Sequence, residues 1–168
     1  MKAFIIKWTT LHRHSSTPQG RILALDFGKK RIGVAVSDPL RLIATGLDTL
    51  QRSTLREDLI RLSAIAADRE ATLLLIGHPL NMNGTEGPQA GRVREFARKL
   101  ERATGIPVML WDERLTSVAA EELLRERGSR PDRRKGTVDR LAASILLQSY
   151  LDHQAPGPES DPEWPAER

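Results

Sequence analysis

Three acidic residues, far apart along the chain, are the side chains best suited to catalysis. Asp26 ends an apolar run, Glu113 follows another, and Asp139 lies in the first turn of the predicted last helix. Burying a carboxylate is costly unless a donor or a cation compensates it. If the three converge, they form an oxygen-only site that suits Mg²⁺ or Mn²⁺ rather than zinc. Two such ions, about 3.5–4 Å apart, can clamp the attacking and leaving oxygens of a phosphodiester displacement.

Each of these acids also has a purely structural interpretation. Asp26 could cap the turn that follows it by accepting a hydrogen bond from a backbone amide. Glu113 and Asp139 could each favour the dipole at a helix N-terminus. Local sequence leaves both interpretations open, so the convergence of the three acids is the prediction to test. Asp38 and Asp112 remain candidates for a fourth carboxylate.

Basic side chains flank the candidate acids. The turn directly after Asp26 contains Lys29, Lys30 and Arg31, Arg114 follows Glu113, and the segment before Asp139 contains Arg125, Arg127, Arg130, Arg133, Arg134 and Lys135. A run of like charge is usually a solvated face. Beside candidate metal ligands, we expect these groups to hold phosphates without reading base sequence. Because aromatic residues make up only 4% of the chain, recognition by shape is favoured over stacking of splayed bases.

Length and composition indicate one small domain with a basic body. The 168 residues are 39% hydrophobic and poor in aromatics, so the core must consist of Leu, Ile, Val and Ala. The absence of cysteine excludes a disulfide scaffold, a thiolate zinc site and a cysteine nucleophile. The net charge of +4 favours a polyanionic partner but supports only non-specific attraction.

The first half of the organised region predicts three strands joined by short turns. Arg21–Phe27 and Ile32–Ser37 are apolar, β-rich runs, and Leu42–Leu50 can form a third strand. Gly28 lies in the first turn, where its conformational freedom favours a tight reversal. Such a succession is typical of an antiparallel meander.

The second half predicts alternating helices and strands. Helical spacing of apolar residues marks helices over residues 55–65, 115–124 and 138–150, and another that includes Val93 and Leu100 and ends near Gly105. Short apolar runs mark strands at Thr72–Gly77 and Ile106–Trp111. Ser53 or Thr54 is placed to cap the first helix. A meander followed by βα units predicts an α/β fold with a five-stranded mixed sheet and helices on both faces. If the first and fifth strands run near each other, the three acids can meet.

Both ends of the chain have compositions that differ from the middle. Residues 1–20 lack the long apolar centre and the cleavage site of a signal peptide, so we expect a disordered leader or a misassigned start. Residues 152–168 are acidic and proline-rich, which predicts a disordered tail. The organised domain is therefore predicted to span residues 21–151. No apolar run approaches the ~20 residues that cross a bilayer.

Four ordered blocks of this sequence resemble the YqgF/RuvX family of Holliday-junction-resolvase-like nucleases, which is also linked to maturation of the small-subunit ribosomal RNA precursor. The blocks are LDFGKKRIGVAVSD at 25–38, GHPLNMNGTEG at 77–87, DERLT at 112–116 and KGTVD at 135–139 with AASIL at 142–146. The resemblance covers roughly residues 21–151. This sequence departs from the family's pattern at two positions of the second block. His78 stands where an apolar residue is expected, and Asn83 stands where an acidic residue is expected.

The resemblance implies an RNase H-like fold and a nuclease that depends on Mg²⁺ or Mn²⁺. It implies catalytic, metal-binding acids at Asp26, Glu113 and Asp139, and a cytoplasmic protein. The implied substrate is branched DNA or the ribosomal RNA precursor. Cutting a four-way junction on both sides would call for two active sites and hence a homodimer, although no segment of the sequence indicates an interface.

Two other functions fit parts of the sequence. The spacing of Asp26, Gly28 and Gly33 is also that of the first phosphate loop of actin-like ATPases and sugar kinases. That class needs a second Asp-x-Gly loop and a second domain, and this sequence shows neither. A non-catalytic nucleic-acid-binding or ribosome-assembly module would keep the fold and the basic surface, with acids that do no chemistry. A cleavage assay separates these alternatives.

Overall fold

A computed structural model describes residues 20–115 and 135–155, except for the side chains of residues 135–138. Several predictions concern parts of the chain outside these residues. They are the leader up to residue 19, the rest of the predicted 115–124 helix, the tail from residue 156, and the basic side chains of Arg125, Arg127, Arg130, Arg133, Arg134 and Lys135.

One mixed β-sheet forms the centre of the described structure. Its strands are β1 (Arg21–Phe27), β2 (Arg31–Ser37), β3 (Ala44–Gly46), β4 (Leu50–Gln51), β5 (Ala71–His78) and β6 (Val108–Asp112). The strand order is β3-β2-β1-β5-β6, and β4 also pairs with β2. The β1–β2, β2–β3 and β2–β4 pairs are antiparallel, whereas β1–β5 and β5–β6 are parallel. The predicted meander and mixed sheet are therefore confirmed.

The predicted third strand, Leu42–Leu50, is wrong in its extent. It is divided into the two short strands β3 and β4, so the sheet contains six strand segments rather than five. The backbone amides of Leu42 and Ile43 donate to the Asp38 carboxylate at 2.7 and 2.8 Å. Because these amides bond within a turn, the two residues cannot begin the strand, and their side chains are exposed.

Three helices are described: α1 (Leu55–Asp68), α2 (Pro88–Thr104) and α3 (Lys135–Gln154). Thr54, one of the two predicted caps, begins α1 by accepting a hydrogen bond from the Glu57 amide at 3.3 Å. Gly105 ends α2 with a φ of 70°, in the left-handed region that glycine tolerates best. The last helix begins three residues before the predicted Val138, and it continues into the first residues of the predicted tail.

The helices cover both faces of the sheet, as predicted. Leu23, Leu25 and Ile76 pack with α1 and α2 on one face, while Ala24 and Leu75 pack with α3 on the other. Successive strand side chains point to opposite faces. This alternation places the residue after Leu25 and the residue after Ile76 on the face that α3 covers. No described helix is long and apolar enough to cross a lipid bilayer.

Candidate active site

Asp26 lies near the end of β1, in the middle of the sheet, and its antiparallel partner on β2 is Gly33. Burial raises the pKa of Asp26 to about 6, and the nearby charge of Asp139 raises it in the same direction. The Gly28 amide in the following turn donates to the backbone oxygens of Asp26 and Arg31, at 3.1 and 2.9 Å. The Gly28 amide therefore donates to backbone oxygens and not to the Asp26 carboxylate. The alternative in which the Asp26 side chain caps this turn through the Gly28 amide is not supported.

Glu113 approaches from the other side of β5, in a single 3₁₀ turn, Glu113–Leu115, that follows β6. Its carboxylate lies over Gly77, where a Cβ atom would come within 2.5 Å of Glu113 Oε1. Gly77 is one position beyond Ile76, the β5 partner of Leu25, so it lies beside Asp26. Burial raises the pKa of Glu113 to about 7, and the charges of Asp26 and Asp112 add to the effect.

Asp139 reaches the same face from α3. Its backbone carbonyl oxygen lies against Gly33, so closely that a Cβ atom there would collide with it. Its carboxylate accepts a hydrogen bond from the Nε of Arg31. The prediction that Asp139 lies in the first turn of the helix is wrong, because α3 already begins at Lys135. The dipole interpretation is weakened accordingly, since that effect fades beyond the first turn.

The three acids thus come from three separate elements to one face of the sheet. Two of them have raised pKa values because burial and mutual repulsion both disfavour their charged forms. In residues 20–115 and 139–155, no three Asp, Glu or His side chains are arranged closely enough to hold a metal ion. Asp139 is paired with Arg31 instead. All three side chains offer carboxylate oxygens, the ligand type that hard divalent cations prefer.

Neither of the two further candidate acids belongs to this cluster. Asp38 follows β2 at the opposite end of that strand and accepts hydrogen bonds from the amides of its own turn. Asp112 precedes Glu113 by one residue and pairs with Arg114 at 2.6 Å. This side-chain hydrogen bond from Arg114 holds the pKa of Asp112 below its usual value. Because neighbouring strand residues face opposite sides, Asp112 points away from the face that carries Asp26.

The predicted phosphate-binding residues differ in how their side chains are engaged. Lys29 and Lys30 are exposed in the turn beside Asp26. Arg31 is paired with Asp139. The Arg114 guanidinium donates to Asp112 and, at 3.4 and 3.3 Å, to the carbonyl oxygens of Asn81 and Met82. It thereby ties the end of β6 to the loop after β5.

Arg52 is a residue near the site that the sequence analysis missed. Its guanidinium lies 4.3 Å from the centre of the Phe27 ring and donates to the Gly28 oxygen at 3.1 Å. It also pairs at 3.4 Å with Asp58, a carboxylate that is only 2% exposed. Arg52 therefore fixes the turn that follows Asp26. The available signal was Asp58 itself, an acid on the apolar stripe of α1.

Gly33 and Gly77 were also missed as parts of the site. Each is a glycine within an otherwise apolar strand, which often marks a close approach of another group to the backbone. Here the approaching groups are the Asp139 carbonyl and the Glu113 carboxylate. The sequence contained the signal, but not the identity of the groups that approach.

His78, one of the two departures from the family pattern, lies on the opposite face from the acids. It is 9% exposed, and its Nε2 is 3.3 Å from Glu86 Oε1. Glu86 in turn pairs with Arg94 at 2.7 Å. His78 therefore lies beside the loop between β5 and α2 and takes no part in the group formed by Asp26, Glu113 and Asp139.

Sequence comparison identifies relatives over most of the chain. A family model described as RuvX, Holliday junction resolvase, matches residues 20–153. A protein of Syntrophus aciditrophicus (strain SB), named "Putative pre-16S rRNA nuclease", is 51% identical over 132 residues, which cover 79% of this chain and 88% of that protein. A protein of the same name from Myxococcus xanthus (strain DK1622) is 45% identical over 141 residues, with coverages of 84% and 93%.

Structural comparison identifies the fold. RuvC of Thermus thermophilus, solved in complex with a Holliday junction substrate, superposes with a TM-score of 0.54 at 14% identity, covering 80% of this chain and 96% of that one. A second T. thermophilus RuvC structure gives a TM-score of 0.50 at 15% identity, with coverages of 79% and 96%. At these identities the likeness concerns the fold alone, and it confirms the predicted RNase H-like architecture.

Proposed function

The chain belongs to the RuvX family of nucleases, and on that premise we propose that it cuts structured nucleic acid with divalent cations held by Asp26, Glu113 and Asp139. The observation that carries the proposal is the approach of these acids, from β1, the 3₁₀ turn after β6, and α3, to one face of the sheet. Their oxygen donors suit Mg²⁺ or Mn²⁺.

The chemistry that bound divalent cations supply is Lewis acidity toward the attacking water and the leaving oxygen. The chain's own part is to hold the acids in place. Asp26 and Glu113 bind protons more readily than ordinary carboxylates, so protons would compete with a cation for these two acids as the pH falls. Gly77 and Gly33 leave the space that the other two acids need on either side of Asp26.

Positioning of the substrate is assigned to the basic residues around this face. Lys29 and Lys30 lie exposed beside Asp26, and we propose that the basic side chains between residues 125 and 135 also contact the substrate. Contacts to phosphates give affinity and register without sequence readout. We therefore expect recognition to depend on the shape of the nucleic acid.

Two substrates are consistent with this proposal. The family description names a Holliday junction resolvase, and the curated relatives are named as nucleases of the 16S ribosomal RNA precursor. Either substrate is a structured polyanion in the bacterial cytoplasm. Symmetric cutting of a four-way junction would need two copies of the site, so we propose a homodimer for that case.

The decisive experiment compares cleavage of a synthetic four-way DNA junction and of a 16S precursor RNA fragment, each with Mn²⁺ or Mg²⁺. The wild type is expected to cut at least one substrate, and Asp26→Asn to bind it without cutting. Glu95→Gln, which alters an exposed acid on the opposite face, serves as the matched control. Equal cutting by Asp26→Asn would show that the assigned site is wrong.

The same cleavage experiment, together with a measurement of ATP hydrolysis, tests the two alternative functions. A non-catalytic binding or ribosome-assembly module would bind both substrates and cut neither, with any cation. An actin-like phosphate-binding ATPase would hydrolyse ATP and leave nucleic acid intact. Membership of the RuvX family favours the nuclease over both.

A further inference from the structure

An arginine side chain lies at the edge of the carboxylate cluster. Arg31 begins β2, and its backbone is held by a hydrogen bond from the Gly28 amide at 2.9 Å and by pairing with Gln51 on β4. Its Nε donates to Asp139 Oδ2, although 108 residues separate the two in sequence. Both side chains are about a quarter exposed, at 27% and 22%. The pair is therefore positioned by a hydrogen-bonded turn on one side and by α3 on the other.

This ion pair supplies positive charge where the cluster lacks it. Among the ion pairs of residues 20–115 and 139–155, it is the one that includes any of the three acids. Asp139 is close enough to Asp26 for its charge to disfavour ionisation there. Arg31 therefore places a guanidinium, a cationic group with several hydrogen-bond donors, against the carboxylate of Asp139.

A divalent cation and Arg31 compete for the carboxylate of Asp139. The guanidinium engages its Oδ2 atom, and two positive charges a few ångströms apart repel each other. Arg31 has a long, flexible side chain on a fixed backbone, so it can leave Asp139 without disturbing β2. A released guanidinium is well suited to grip a phosphate through paired hydrogen bonds.

We propose that Arg31 is the built-in counter-cation of the metal-free site, which yields Asp139 to the divalent cation and then contacts a substrate phosphate. This inference rests on the proposed function, because it takes Asp139 as a ligand. It assigns Arg31 a different role from Lys29 and Lys30, which can attract phosphate whether or not a cation is bound. Cation binding and nucleic-acid binding then become coupled through one side chain, and such coupling is reciprocal.

The first test measures Mn²⁺ binding by titration calorimetry, without substrate. Partly exposed ion pairs contribute up to about 1 kcal/mol, so Arg31→Gln is expected to bind Mn²⁺ about three- to fivefold more tightly than the wild type. Arg31→Lys, which keeps the charge, and Lys29→Gln, from the same turn, are expected to bind Mn²⁺ as the wild type does. Asp139→Asn is expected to bind it much more weakly.

Two results would count against the inference in different ways. Unchanged or weaker Mn²⁺ binding by Arg31→Gln, with normal binding by the wild type, would overturn the role of Arg31 and leave the proposed function standing. Failure of the wild type to bind any Mn²⁺ would overturn both proposals. If Arg31→Gln does not fold, tighter binding by Arg31→Lys than by the wild type would likewise overturn the counter-cation role.

The second test measures affinity for a four-way DNA junction in EDTA and in Ca²⁺, by fluorescence anisotropy. The wild type is expected to bind the junction more tightly in Ca²⁺ than in EDTA. For Arg31→Gln, the ratio of the two affinities is expected to be at least threefold smaller than for the wild type. Lys29→Gln is expected to weaken binding equally in both conditions. An equal gain in the wild type and in Arg31→Gln would overturn the proposed contact with phosphate.

Discussion

The carboxylate of Glu113 lies directly over Gly77 of the neighbouring strand, where a Cβ atom would come within 2.5 Å of its Oε1. A missing side chain on β5 is therefore what allows Glu113 to reach toward Asp26. On the other side of β1, Gly33 gives the same clearance to the backbone of Asp139. Asp26 thus lies between two strands that each have a glycine, and so no side chain, beside it.

Gly77→Ala is expected to impair catalysis while leaving the fold intact. The new methyl group meets the far end of a flexible side chain, so Glu113 can swing aside with a change in unfolding free energy of about 1 kcal/mol or less. A displaced catalytic group of this kind costs about 10²-fold in cleavage rate. Urea denaturation and single-turnover cleavage measure the two effects. Gly91→Ala, where a Cβ meets nothing within 4 Å, is the matched control and should retain wild-type cleavage.

Gly33→Ala is expected to act in the opposite way, by lowering stability first. Here the new methyl group meets the backbone carbonyl of Asp139, which cannot rotate away, so α3 must shift as a whole. Forced repacking of this kind costs about 1–3 kcal/mol. The measurement is the free energy of unfolding from urea denaturation. A Gly33→Ala protein as stable as the wild type would mean that α3 does not pack on β2 at this point.

Stability of the metal-free protein is expected to fall as the pH rises through about 4 to 6. The folded-state pKa of Asp26, about 6, lies above the ordinary value of 3.8 for an aspartate, so the folded protein binds the proton more tightly than the unfolded chain does. The stabilisation is complete below the lower value and is lost as Asp26 ionises. Asp26→Asn should therefore be more stable than the wild type above pH 6, by up to about 3 kcal/mol.

Urea denaturation in EDTA, at pH values from about 4 to about 8, measures this difference. The gap between Asp26→Asn and the wild type is expected to widen with pH, and the raised pKa of Glu113 should extend the wild type's decline toward pH 7. A gap that is the same at both ends of the range would contradict the burial of an ionisable Asp26. Added Mn²⁺ should stabilise the wild type and not the variant.

Arg52→Ala is expected to destabilise the turn that follows Asp26. It leaves the Asp58 carboxylate, 2% exposed, without its cation, and it removes the donor to the Gly28 oxygen. Loss of one partner of a buried pair costs several kcal/mol, and we expect about 2 here because Arg52 itself is 26% exposed. Arg52→Lys should recover only part of the loss, since it lacks the planar fork.

The control for that prediction is Arg69→Ala. Arg69 pairs with Asp68 at the exposed end of α1, with side-chain exposures of 46% and 73%. Such a surface pair is worth at most about 1 kcal/mol, so the free energy of unfolding should change little. Similar losses for Arg52→Ala and Arg69→Ala would show that the Arg52 network does not stabilise the fold.

Arg133→Ala is expected to weaken nucleic-acid binding and to lessen its dependence on salt. Each phosphate contact that is lost lowers the slope of log K against log salt by about one. Affinity for a junction, measured across a range of KCl concentrations, gives that slope. Arg98→Ala, which removes an exposed arginine from α2 on the opposite face, should leave it unchanged. An unchanged slope for Arg133→Ala would show that Arg133 makes no contact with the phosphates of the nucleic acid.

Most of the fold could be predicted from local sequence. Arg21–Phe27 is a strand in the structure with the predicted bounds, and Thr54 and Gly105 mark helix ends by their own chemistry. Short-range preferences decide such features, because each depends on a few neighbouring residues. The predicted strand Leu42–Leu50 failed because the Asp38 side chain competes for the amides with which it would have begun.

The site itself could be predicted only in part. The sequence by itself marked Asp26 and Glu113 as acids that end buried runs, but it left open whether Asp112 also faces the site as a fourth carboxylate. Only the sheet decided this, because the register of β5 and β6 determines which of two successive side chains points to each face. The same long-range packing brings Arg31 to Asp139 across 108 residues. Such contacts depend on which helices and strands become neighbours in space. Their arrangement is determined by the packing of helices against both apolar faces of the sheet, which no local stretch of sequence specifies.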